Sequence, residues 1–245
     1  MELTSAYFTL LCVGLVLMLS QALVKQKKLE HLFFAIFCGS MALVAAQYLS
    51  AEKLGVYQYL IGLGTCATCN AMWLVSKSMF SGENSISKRH ILFALLIAAL
   101  IIINNSIQTA HQLSSLGSET YTRLGNGLGE MINLLSSTVL ALTFWEAVKG
   151  ISKQAKQERW QRTLFIASFC TGVILCTVFA KTFFSAERLP QVLPWLVVIS
   201  ALQIMVVTQA ILWWRQFEKS NISVEETTQG NEEEAFNIEP SLISG

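Results

Sequence analysis

Seven apolar runs, each long enough to cross a lipid bilayer, leave this chain very few ways to fold. They lie near 6–24, 32–49, 56–75, 91–107, 131–148, 164–184 and 192–214. About 20 helical residues cross the roughly 30 Å of hydrocarbon in a bilayer. Runs of this length, with no alternation of polar and apolar residues, select helices over a closed barrel. Composition agrees, with 53% of residues hydrophobic and 13% charged, against about 25% charged in ordinary soluble domains. The expected fold is all-α: a polytopic seven-helix transmembrane bundle over residues 1–217, followed by a tail, 218–245.

The basic residues set an expected orientation, because Lys and Arg collect in cytoplasmic loops. With the N-terminus outside, the inner segments hold Lys25, Lys27, Lys28, Lys77, Lys88, Arg89, Lys149, Lys153, Lys156, Arg159, Arg162, Arg215 and Lys219. Only Lys53, Arg123, Lys181 and Arg188 fall on the outer side. All five Tyr lie toward that side, and five of the six Trp toward the other, as interfacial anchors do. Seven spans then leave the C-terminus in the cytoplasm. The first run is preceded by Glu2 and by no Lys or Arg, so it reads as a span rather than a cleavable leader.

The third run organises the rest. It starts beside Tyr57 and Tyr59, carries Cys66, Cys69, Asn70 and Trp73, and is expected to leave the membrane at Lys77 into a polar loop ending Lys88-Arg89-His90. Between the fourth and fifth runs, Gly117, Gly125, Gly127 and Gly129 suggest a flexible outer loop over 108–130. Pro190 and Pro194 bracket the start of the last helix, where Pro is well tolerated. Beyond Phe217 the chain holds seven Glu against Lys219. With no long apolar period, that tail is expected to be acidic, disordered and cytoplasmic.

Polar residues within or at the ends of membrane helices are costly, which makes each a functional candidate. Gln47, Asn104, Asn105, Glu130 and Lys181 all fall toward the outer ends of their runs. Converging, they would form a ligand-binding vestibule in which Glu130 and Lys181 pair or grip a small molecule. The plainer alternative is that they snorkel to headgroups or join helices by hydrogen bonds. Cys66, Cys69 and Asn70 read as interhelical polar contacts. The two thiols share a helical face, but zinc would need two more ligands, and thiol reactivity would need a helix N-terminus or cations nearby.

No cofactor is expected. The three histidines lie at span ends or in a loop, the last span has no Lys for a retinal Schiff base, and no metal set is apparent. Glu130 and Glu146, 16 residues apart, are separated by about 24 Å along a helix and cannot act as an acid–base pair. No catalytic residue is assigned, and an enzyme is not expected. Scattered basic residues offer no nucleic-acid face.

The layout resembles the seven-helix membrane sensor regions of bacterial signalling and transcription-regulator proteins. The resemblance rests on the span count, the polar outer end, and the third helix running through Trp73-Leu-Val-Ser-Lys-Ser-Met-Phe80 into Ile86-Ser-Lys-Arg-His90. It implies a sensor-like or signalling-associated protein of a bacterial inner membrane, in which an outer ligand changes the bundle's packing. The segment after Phe217 carries no kinase histidine box or recognition helix. The partners expected are therefore membrane lipid, a small-molecule ligand, and a separate cytoplasmic output protein reached through the inner loops and tail. A small solute transporter or permease is the alternative.

Overall fold

The computed structural model describes residues 3–24, 28–55, 58–82, 85–113 and 118–238; the side chains of 52, 59, 60, 108, 110–124 and 218–238 lie outside the description. The described chain is helical, with no strand. Nine α-helices run in order: α1 (Leu3–Ala22), α2 (Leu29–Leu54), α3 (Gln58–Gly62), α4 (Thr68–Ser81), α5 (Lys88–Leu113), α6 (Ser118–Val148), α7 (Lys156–Ile174), α8 (Ala180–Phe183) and α9 (Leu189–Ile238). A 3₁₀ segment, Leu63–Ala67, joins α3 to α4, and a π-helical stretch, Leu175–Phe179, joins α7 to α8. The described residues form two compact units, divided between Val207 and Thr208.

Six stretches are long and apolar enough to cross a membrane: Leu3–Ala22, Leu29–Ala51, Lys88–Ile107, Gly125–Lys153, Lys156–Phe183 and Leu189–Phe217. The protein is therefore a multi-pass membrane protein. The seventh apolar run is the third in sequence, and it is not one continuous helix. Gly62 and Gly64, poor helix formers, lie at the break between α3 and α4.

The first unit is built around α4. Every residue from Asn70 to Phe80 is buried, so no face of this half-helix is left for lipid. It packs against α2, α5 and α6. Trp73 and Leu74 lie in a core cluster with Ala94 and Ile97 of α5 and Val139 of α6. Trp73 meets Phe93 edge-on, with ring centres 5.8 Å apart. The exposed large apolar residues of α1, α5 and α6, such as Val16, Leu92 and Leu134, are what a lipid-facing surface requires.

Helices α1 and α2 are an antiparallel pair held close by small residues, as membrane interfaces favour. A Cβ on Gly14 would sit 3.1 Å from both the Cys38 carbonyl oxygen and the Ala42 Cβ. The Tyr7 and Tyr48 rings stack at 3.8 Å near one end of the pair. At the other end, the buried His31 and Gln21 share a 2.7 Å hydrogen bond.

Four sequence expectations change. Lys77 does not open a loop: α4 continues to Ser81, and Lys77 is 8% exposed. The apolar residues Leu74, Val75, Met79 and Phe80 carry the helix past it. The expected outer loop is helical where described, because α5 runs to Leu113 and α6 passes through Gly125, Gly127 and Gly129; Gly117 lies outside the described residues. Pro194 stands inside α9 rather than before it. Beyond Phe217, where disorder was expected, the backbone remains helical to Ile238, and 239–245 lie outside the description.

Candidate functional site

Among the described residues, two polar clusters gather around the two ends of α4. The first surrounds the break in the third run. Leaving α-helical geometry frees backbone carbonyls, and in a membrane these must find partners within the protein. Side chains from two neighbouring helices supply them. Asn105 of α5 donates through Nδ2 to the Gly62 carbonyl (3.0 Å), which also accepts from the Thr65 hydroxyl (2.8 Å). Ser40 of α2 donates to the Gly64 carbonyl (3.0 Å). The Gln47 amide lies directly over Gly62, so that a Cβ there would fall 2.9 Å from Gln47 Nε2. Just beyond, Asn70 donates to the carbonyls of Cys66 (3.3 Å) and of Ala94 on α5 (3.2 Å).

Of the five sequence-derived vestibule residues, the structure brings Gln47 and Asn105 to the same glycine. Asn104, next to Asn105, keeps its Oδ1 buried without a hydrogen-bond partner among the described residues. Glu130 and Lys181 are exposed and form no ion pair with each other or with another described residue. The group gathered at the break is therefore uncharged: amides, hydroxyls and backbone carbonyls. Cys66 lies in the 3₁₀ segment and Cys69 in the first turn of α4, both half-buried and free. The break thus places this thiol pair at a helix N-terminus, which an unbroken span would not have offered. Among the described residues, no three His, Cys or acidic side chains gather as a metal set.

The second cluster binds the C-terminal half of α4 to α6 and α7. Lys77 Nζ lies 2.6 Å from Glu146 Oε1, and both side chains are at most one-tenth exposed. The second carboxylate oxygen accepts from the Ser81 hydroxyl at 2.7 Å. One turn back, the Ser76 hydroxyl donates to the Thr143 carbonyl at 3.0 Å. Removing one partner of such a buried pair costs about 3–5 kcal/mol, because the other charge is stranded.

Arg162 of α7 closes this end. It is 1% exposed, and its guanidinium edges are aimed at backbone oxygens. Nη2 donates to the Phe80 carbonyl. Nη1 donates to Lys149 at 2.9 Å, with longer contacts to Ala147 and Glu146. Nε and Nη2 reach Glu158, one turn earlier on α7, at 3.1 and 2.9 Å. The last carbonyls of α4 and α6 have no partner within their own helices, and a cation there also opposes the helix dipoles. Below the guanidinium lies the Phe80 ring, 5.0 Å from Cζ, itself edge-on to Phe165.

Sequence reasoning placed Lys77 and Arg162 in loops and weighed Glu146 only against Glu130. The missed signal was the apolar pattern continuing past Lys77, which buries that lysine in the protein and leaves it in need of a counter-charge. A search with protein-family models, and comparisons with curated proteins and with solved structures, found no match to this chain.

Proposed function

We propose that this protein is a sensor-like membrane receptor of a bacterial inner membrane. It binds a small, neutral, polar molecule at the break in the third span and signals to a separate cytoplasmic protein. One observation carries the reading. Side chains of α2 and α5 converge on the junction of α and 3₁₀ backbone at Gly62–Gly64, with a neighbouring amide oxygen, on Asn104, left buried and unpartnered among the described residues. Backbone that leaves α-helical geometry in a membrane protein belongs where it is buried in protein or lines a cavity. The proposed binding residues are Gln47, Asn104 and Asn105. With no charged group at the break, the ligand is read as neutral. Glu130 and Lys181 are assigned to the periphery, and the loop between α6 and α7 to output.

A small permease is the second reading, and the discontinuous helix itself favours it, since transporters often bind substrate at such breaks. The protein in lipid nanodiscs, screened by thermal unfolding against sugars, polyols, nucleosides and neutral amino acids, separates these outcomes. A ligand at 100 times its Kd stabilises by about 2.7 kcal/mol. The expected result is one stabilising class whose effect disappears in Asn104→Leu and Asn105→Leu. Stabilisation by none of the four classes refutes the binding site. Uptake of the stabilising solute into proteoliposomes replaces sensing with transport.

A further inference from the structure

The half-helix α4 is unusual in what holds it. It is buried on all sides from Asn70 to Phe80, so lipid contributes nothing to its position. At its N-terminal end it continues into a 3₁₀ segment, a geometry with poorer hydrogen bonds that often marks a hinge. At its C-terminal end it stops at Ser81, followed by Gly82 with φ 85, a conformation that side-chain-bearing residues rarely adopt. The polar anchors are concentrated in its last two turns: Ser76 on the Thr143 carbonyl, Lys77 and Ser81 on the two oxygens of Glu146, and the Phe80 carbonyl under Arg162.

Its first turns show the opposite condition. Among the described residues, Asn70 Oδ1 and Trp73 Nε1 are both buried without a hydrogen-bond partner. Spacing i, i+3 puts them on one face of the helix, the face whose Asn70 amide meets Ala94 and whose Trp73 ring meets Phe93 of α5. A buried polar group without a hydrogen-bond partner has lost its water and gained nothing in exchange. The observed position of α4 therefore carries a penalty at one end and strong ionic anchoring at the other.

We propose that α4 is a latched element. The Lys77–Glu146–Ser81 contact holds it in a position that its own N-terminal turns disfavour, and opening that contact lets α4 swing about Leu63–Ala67. The device needs no ligand, so it stands independently of the receptor reading. If that reading holds, the latch is the point at which binding at the hinge is coupled to the ends of α6 and α7.

Two native cysteines report on it. Cys66 lies in the hinge and Cys69 in the first turn of α4, whereas Cys38 of α2 is fully buried beside Gly14 of α1. The test measures rates of N-ethylmaleimide labelling at each cysteine, by peptide mass spectrometry, on the full chain in nanodiscs. Glu146→Gln and Lys77→Met should raise the rates at Cys66 and Cys69 by about tenfold or more, since stranding one partner of a buried pair favours any state that frees the other. Cys38 should stay unchanged, and the charge-swapped pair Lys77→Glu/Glu146→Lys should return the hinge rates toward wild type. Ser81→Ala keeps the ion pair and should give a smaller rise of about fivefold, the measure of one typical net hydrogen bond, should the charge variants fail to fold. Unchanged rates at Cys66 and Cys69 overturn the proposal, as does a parallel rise at Cys38, which would mean general loosening.

Discussion

Arg162 offers the sharpest test of how the end of this bundle is held. Its contacts divide into two kinds, and burial decides between them. Glu158 is 32% exposed, so water screens that pair, and exposed i, i+4 pairs contribute only about 0.3–0.5 kcal/mol. The carbonyl contacts are different. Phe80 is 6% exposed, and water cannot readily replace the guanidinium on its oxygen. An orphaned buried carbonyl costs about 1–3 kcal/mol. Losing the Lys149 bond and the packing on the Phe80 ring adds about 1–2 kcal/mol. Arg162→Lys retains the charge but cannot reach Phe80, Lys149 and Glu158 at once, because an ammonium has three donors at one point against a planar fork of five. It should therefore destabilise by about 3 kcal/mol, near 10 °C in Tm for a chain of this size. Glu158→Gln should cost less than about 1 kcal/mol. Thermal unfolding of both variants in one detergent, followed by far-ultraviolet circular dichroism, gives the comparison. Equal losses in the two variants, or an Arg162→Lys protein as stable as wild type, would refute the argument that carbonyl capping outweighs the ion pair.

Three further outcomes are expected. Gly14→Ala should destabilise by about 1–3 kcal/mol by wedging α1 from α2; Gly64→Ala should cost less, because its new methyl meets the half-exposed, rotatable end of Leu43 rather than backbone, and chemical denaturation ranks the two. Asn105→Leu should cost only about 1 kcal/mol, since Thr65 still serves the Gly62 carbonyl, and thermal unfolding without ligand reads that value. For the proposed orientation, a periplasm-dependent phosphatase fused after Gly245 should be inactive and a cytosolic reporter there active; the reverse result inverts the assignment of the two ends.

What was legible in the sequence was what depends on neighbours in the chain. Six of the seven apolar runs could be read because a continuous run needs no distant partner to be recognised as a helix. The third run failed as a continuous helix because Gly62 and Gly64 weaken it locally, and its freed carbonyls are met by Ser40 and Asn105, 24 and 43 residues away from their acceptors. Lys77 was misplaced for the same reason. Alone, a lysine at the end of an apolar run belongs at the headgroups; paired with Glu146, 69 residues on, it belongs inside. The glycines of 125–129 argued for a loop through propensity, a cost of about 1 kcal/mol each that the helix nonetheless bears. Gln47 and Asn105 were found together because α2 and α5 flank the break, whereas Glu130 and Lys181 belong to exposed positions on α6 and α8 that nothing in a linear reading could separate from them.

The π-helical stretch between α7 and α8 changes how the sixth apolar run should be counted. A wider turn accommodates about one additional residue, and one residue of α-helix corresponds to about 100° of rotation. In an uninterrupted helix, the eight steps from Gly172 to Ala180 would leave the two roughly 80° out of line. Absorbing one residue brings them within about 20°, consistent with both being buried. Periodicity measured across 175–179 thus reads one position too long, and hydrophobic stripes on either side of it should be phased separately.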